Sequence, residues 1–161
     1  MRTLTILLLG LTFLSCNSTD SKSEHSSNEP KQSSEPNYKV AIQFINDYID
    51  FSNDRQSEVG LIEWINQRHD VTVDFKNELN RILEQAEKND PELGLGFDPI
   101  LDAQNNPNRF ELEKTESEYL IVKGENWPEF RLTLKMKLVD SKWLVDGAGI
   151  INVPENKRIK R

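Results

Sequence analysis

The chain has 161 residues, with 27 acidic against 20 basic side chains and a formal net charge of −7 at pH 7. That balance excludes a nucleic-acid-binding role, which needs clustered Lys and Arg to neutralise phosphates. One cysteine and two histidines exclude an intrachain disulfide and a structural zinc site, so no metal or cofactor is expected and the fold must rest on its apolar core.

The N-terminus reads as a targeting segment. Met1-Arg2-Thr3 is short and cationic, residues 4–14 are mostly apolar, and Ser15-Cys16 closes the run. That is the layout of a secretory signal peptide. An apolar stretch of about eleven residues is too short to span a bilayer, which takes roughly twenty. Phe13-Leu14-Ser15-Cys16 resembles the bacterial lipobox, in which cleavage exposes the cysteine as the new N-terminus and its thiol carries diacylglycerol. The resemblance implies a signal peptide over residues 1–15 and a lipid anchor at Cys16. It also implies attachment in the bacterial cell envelope, with the outer membrane as the expected membrane. Loss of residues 1–15 removes one cation, Arg2, and takes the charge from −7 to −8.

Residues 17–37, NSTDSKSEHSSNEPKQSSEPN, contain no large apolar side chain. Such a segment cannot bury enough surface to offset chain entropy, so a disordered tether is expected over residues 16–37. A flexible linker of about twenty residues reaches roughly 25 Å. It is read as a spacer; the functional alternative is a surface-export signal just after the lipidated cysteine.

The next 120 or so residues suit one domain, expected over residues 38–153. Asn37 is a candidate cap for a first helix with Ala41, Phe44, Ile45, Tyr48 and Ile49 at helical spacing, ended by Ser52-Asn53-Asp54. Ser57 is a candidate cap for a shorter helix carrying Leu61, Ile62, Trp64 and Ile65. Thr72 is the candidate cap for a third, whose face is Phe75, Leu79, Ile82, Leu83 and Ala86. Asn89-Asp90-Pro91 stops it, because Pro91 forces its predecessor out of helical geometry.

The period then changes to two. Phe110, Leu112 and Lys114 alternate with Glu111 and Glu113, and Tyr119 to Lys123 is rich in strand formers. After a turn at Gly124 to Pro128, the series Phe130, Leu132, Leu134, Met136 and Leu138 alternates with a mostly polar one. Asp140-Ser141 predicts a tight turn into a last strand from Lys142, and Asp146-Gly147 a turn or bulge after it. Helices followed by an antiparallel meander of about four strands predict an α+β domain. In its strongly curved form the sheet wraps a long helix and leaves a pocket between them. The basic tail, residues 154–161, reads as a frayed, solvated end. Its functional alternative is contact with anionic lipid head groups through residues 157–161.

Asp98-Pro99 predicts a short helical turn over residues 99–103, with Asp98 as cap and Pro99 at the first position. Asp98-Pro99-Ile100-Leu101 with Ala103-Gln104 resembles the signature of a bacterial family, domain-of-unknown-function family 3828. Phe44, Tyr48, Thr72, Phe75 and Lys142-Trp143-Leu144-Val145 extend that resemblance over most of residues 38–152. It implies an exported or lipid-anchored protein with the cystatin-like, nuclear-transport-factor-2-like α+β cone. It implies no known activity.

Relatives of that cone include isomerases, cyclases and dehydratases with an Asp or His as proton carrier, since an apolar pocket shifts such a group toward neutrality. Asp98 and Asp102, four apart on a helical turn, would share one face and titrate as a pair. They are the candidate acid and base, and the competing reading is Asp98 as a cap. Gln104 is a candidate ligand contact, against satisfying a loop carbonyl. His69 reads as an exposed loop residue. Trp64, Trp127 and Trp143 are the aromatic candidates for lining a pocket, with Trp143 also a core candidate. No nucleophile elbow, Gly-rich loop after a strand or Walker-type lysine is present. The expected function is therefore a lipid-anchored binding module in the envelope, its partner an envelope protein or a small apolar ligand. The alternatives are a cone-fold enzyme using Asp98 or Asp102, and an immunity-type or inhibitor protein.

Overall fold

Helix α1 (Tyr38–Asn53) buries Ala41, Phe44, Ile45, Tyr48 and Ile49, the stripe that the spacing predicts. In the computed structural model, which describes residues 35–160, this stripe faces a four-stranded antiparallel sheet. The expected signal peptide, Cys16, the tether up to residue 34 and Arg161 lie outside the described residues. The strands are β1 (Phe110–Glu116), β2 (Tyr119–Gly124), β3 (Arg131–Val139) and β4 (Lys142–Ala148), in the order β1-β2-β3-β4. The α+β architecture expected from the sequence is the one observed. No helix among the described residues is long and apolar enough to cross a membrane.

Phe44, Ile45 and Ile49 of α1, Phe75 and Leu79, and Phe110, Leu120, Leu132, Leu134 and Met136 of the sheet form one apolar cluster, each at most 2% exposed. The pocket expected between the long helix and a curved sheet is taken up by these side chains.

Asn46 is buried on α1 beside the apolar stripe. Its carboxamide donates to the Phe110 carbonyl at 3.0 Å and accepts from the Phe110 N–H at 2.7 Å. β1 is an edge strand, and the carboxamide fills the place of a neighbouring strand at its first residue.

Asn37 stands at the N-cap of α1, but its side chain makes no capping bond. The second helix, α2 (Leu61–Gln67), begins four residues beyond Ser57, with Gly60 at its cap. Ser57 Oγ instead accepts from the Val59 N–H at 3.3 Å, closing a local turn before the helix. Helix α3 (Val73–Asn89) starts as expected: Thr72 Oγ1 accepts from the Phe75 N–H at 3.0 Å. The same hydroxyl donates to Asp146 Oδ1 at 2.8 Å, and Asp146 Oδ2 accepts from Lys135 Nζ at 2.8 Å. One cap thereby fastens α3 to β3 and β4.

β3 and β4 join through Asp140 and Ser141, at φ of 45° and 67°. Two consecutive left-handed residues form the turn whose twist matches that of the flanking strands. Strand β4 runs through Asp146 and Gly147 to Ala148, and its register against β3 shifts there, so the expected turn or bulge is a bulge inside the strand. Gly149, at φ +55°, follows at once. A Cβ on it would stand 2.4 Å from the Pro99 carbonyl oxygen, so only glycine lets the 98–103 segment approach β4.

The C-terminal tail does not fray over residues 154–158. Residues Glu155–Lys157 form a 3₁₀ turn. Thr133 on the outer face of β3 donates to the Lys157 carbonyl at 2.8 Å, and Arg158 Nε donates to the Val153 carbonyl at 2.8 Å. This contact explains why Thr133 is buried on a face that the alternation predicts to be wet. Lys157 Nζ pairs with Glu116 at 3.0 Å, so with Arg158 two of the tail cations are engaged within the chain.

Candidate functional site

Residues 98–103 form a closed turn. Asp98 and Ala103 pair across it, with the Asp98 N–H on the Ala103 carbonyl at 2.9 Å, and Asp102 takes φ +53°. Asp98 Oδ1 accepts from the N–H groups of Ile100 at 2.8 Å and Leu101 at 3.0 Å, which is the capping role. Its Oδ2 accepts from the Tyr48 hydroxyl at 2.5 Å. Burial pushes the Asp98 carboxyl above its ordinary range, while Tyr48 and the two amides pull it back down. Burial and then the Asp98 charge push the Tyr48 phenol up, so it stays protonated. Three donors converge on the Asp98 carboxylate. The left-handed residue at Asp102 removes the shared helical face on which a paired acid and base would sit.

Gln104 is exposed, and its Nε2 donates to the Gly96 carbonyl at 3.2 Å. With Trp127 and Ile159 it borders a concavity of about 420 Å³. Trp127 is 42% exposed and leans edge-on against Phe130, ring centres 5.2 Å apart. Trp64 is half-buried within α2, stacked on Phe51 at 4.8 Å between ring centres.

Trp143 lies elsewhere, so the structure does not bring it together with Gln104. It borders a concavity of about 960 Å³ between the start of α1, the α2–α3 connection and the β3–β4 hairpin. Val40, Arg68, His69, Lys142 and Leu144 share that lining with residues 35–37. Its size is at the upper end of small-molecule sites. The Trp143 indole packs against the apolar core, and its Nε1 is buried with no hydrogen-bond partner among the described residues. A buried N–H left unmet costs about 1–3 kcal/mol.

Arg68 shapes the wall of this concavity. Its guanidinium donates to Asp47 Oδ2 at 2.8 Å and grips Asp70 through Nε, at 2.8 Å, and Nη2. It stands 5.0 Å from the ring centre of Trp64 and 5.8 Å from that of Phe44. Hydrogen bonding to Asp70 pushes its pKa further above the ordinary range. Lys76 Nζ donates to the Arg68 carbonyl at 2.7 Å and to the Asn66 carbonyl at 3.0 Å. The connector carrying exposed His69 is thus rigid. The only sequence signal is Asp70 two residues after Arg68; Asp47 is 21 residues away.

Among the described residues, no three His, Cys, Asp or Glu side chains gather as metal ligands. Comparisons with family models, curated proteins and solved structures found no match to this chain.

Proposed function

We propose that this chain is a binding module of the bacterial cell envelope, tethered through a lipid on Cys16, that takes its ligand in the concavity beside Trp143. The observation that carries the reading is the roomy, rigid-walled concavity bordered by an indole whose buried N–H has no partner among the described residues. A buried polar group without a partner is uncommon in a native fold. The lipobox-like Phe13-Leu14-Ser15-Cys16 supports the anchor, and the likeness of Asp98 to Gln104 to family 3828 supports an exported domain. The enzyme alternative has less support, because the Asp98 carboxylate is committed to Tyr48 and two amides.

The test is the intact mass of the full chain, purified gently and recorded under non-denaturing conditions. A reproducible added mass, lost in Trp143→Ala while the fold persists, is the expected result. A bare chain that stays bare in the presence of envelope extract would overturn the reading.

A further inference from the structure

Resting on that reading of the concavity, we infer that its ligand is an extended peptide segment, which adds as a short strand to the outer edge of β4 at Trp143. The argument begins with the register of the sheet. β4 pairs with β3 on one side, with Met136 opposite Val145 and Leu138 opposite Trp143. On its other side, Val145 is already taken: its N–H donates to the Asp70 carbonyl at 2.8 Å, and its carbonyl accepts from the Thr72 N–H at 2.9 Å. Residues 70–72 thus form a one-rung parallel strand on the β4 edge.

Strand geometry repeats every two residues. The register between Trp143 and Val145 is unbroken, the bulge coming only after it. The main-chain N–H and C=O of Trp143 therefore face the same side as those of Val145. Among the described residues the next rung is vacant, because the connector turns away toward α2 and no loop hydrogen bond reaches the Trp143 main chain. Arg68, gripped by Asp47 and Asp70, and its carbonyl, held by Lys76, keep the connector from closing over the edge. The vacancy opens onto the concavity that Trp143, His69 and Lys142 border.

An extended peptide meets this need directly. It offers a carbonyl to the Trp143 N–H and an N–H to the Trp143 carbonyl, the main-chain recognition used whenever a strand is added to a sheet edge. A purely apolar small molecule would cover the indole and leave that pair unmet. Side-chain preference follows from the same alternation. The peptide residue opposite Trp143 shares its face and meets the indole and Val40, so it is apolar. Its neighbours turn to the opposite face, that of Lys142 and Leu144, where a carboxylate suits the lysine.

The probe is the blocked peptide acetyl-Thr-Glu-Val-Glu-Thr-amide, titrated into the ¹⁵N-labelled full chain, beside the same peptide N-methylated at its three central residues. The expected result is a shift and slowed exchange of the Trp143 main-chain amide, with the methylated peptide binding about tenfold or more weakly. Equal binding of the two peptides overturns strand addition while leaving the concavity as a ligand site. No response at Trp143 to millimolar parent peptide also overturns it. If the native mass then still shows an adduct lost in Trp143→Ala, the concavity reading survives; if that mass is bare as well, both fall.

Discussion

Replacing Asn46 by alanine tests how the first helix is fastened to the sheet. The carboxamide bonds both main-chain groups of Phe110, at 3.0 and 2.7 Å, and both residues are buried. Alanine removes the carboxamide and strands a donor and an acceptor together at the edge of β1. Each stranded group costs about 1–3 kcal/mol, so the expected loss is about 2–5 kcal/mol after partial entry of water. A domain of this size typically has about 5–15 kcal/mol of stability in all. Urea unfolding followed by tryptophan fluorescence should show the midpoint falling by about one molar or more with an unchanged slope. Asn46→Asp sharpens the test. Its carboxylate can accept from the Phe110 N–H but repels the Phe110 carbonyl, and only the protonated acid donates to it. The deficit of Asn46→Asp relative to the parent should therefore shrink as pH falls through the carboxylate range. A loss below about 0.5 kcal/mol for alanine, or an aspartate deficit that ignores pH, would refute the clamp.

Four further outcomes follow, three from the structure and one from the sequence. Asp98 has its folded pKa raised above the ordinary 3.8 by burial, so the folded state binds its proton more tightly than the unfolded state. Its contribution is most favourable below about pH 4 and is lost as pH rises through the folded value. Asp98→Asn should thus gain on the parent across that window in urea midpoints, and a pH-independent difference would refute the raised value. Asp98→Ala, which strands the Tyr48 hydroxyl and two capped amides, should lose about 2 kcal/mol or more at any pH, read in the same assay. Gly149→Ala forces a Cβ to 2.4 Å from the Pro99 carbonyl and should lower the thermal midpoint well beyond the roughly 1 kcal/mol of a bare left-handed penalty. Cys16→Ser should release the chain from the membrane fraction or stall its processing; normal cleavage with retained anchoring would remove the lipobox reading.

What could be read from the sequence is local. The α1 stripe from Ala41 to Ile49, the Thr72 cap, the Pro91 stop and the Asp98 cap each depend on residues within one or two turns of one another. The same is true of the Asp140-Ser141 turn and of the two-residue period of β3. Periodicity and side-chain capping act over that distance, so the α+β layout was legible. Where local reading failed, a distant partner intervened. Thr133 is buried because the Lys157 carbonyl, 24 residues on, accepts its hydroxyl. The turn expected over residues 99–103 is closed by the Asp98–Ala103 pair, and its packing against Gly149 has no local sign.

The candidate site was less legible than the fold, because its parts meet only through the tertiary structure. Trp143 was visible as an aromatic strand residue, but nothing local says that no described residue pairs with its outer edge. That depends on residues 70–72 pairing with Val145 and then turning away, held by Arg68 on Asp47. Asn46 likewise reads as one more polar helical residue until Phe110, 64 positions later, lies against it. By itself the sequence determined which segments are helix and strand, because propensity and period are properties of neighbouring residues. Only the tertiary structure decided which main-chain groups are met and which remain open, because that depends on where segments far apart in the chain come to lie.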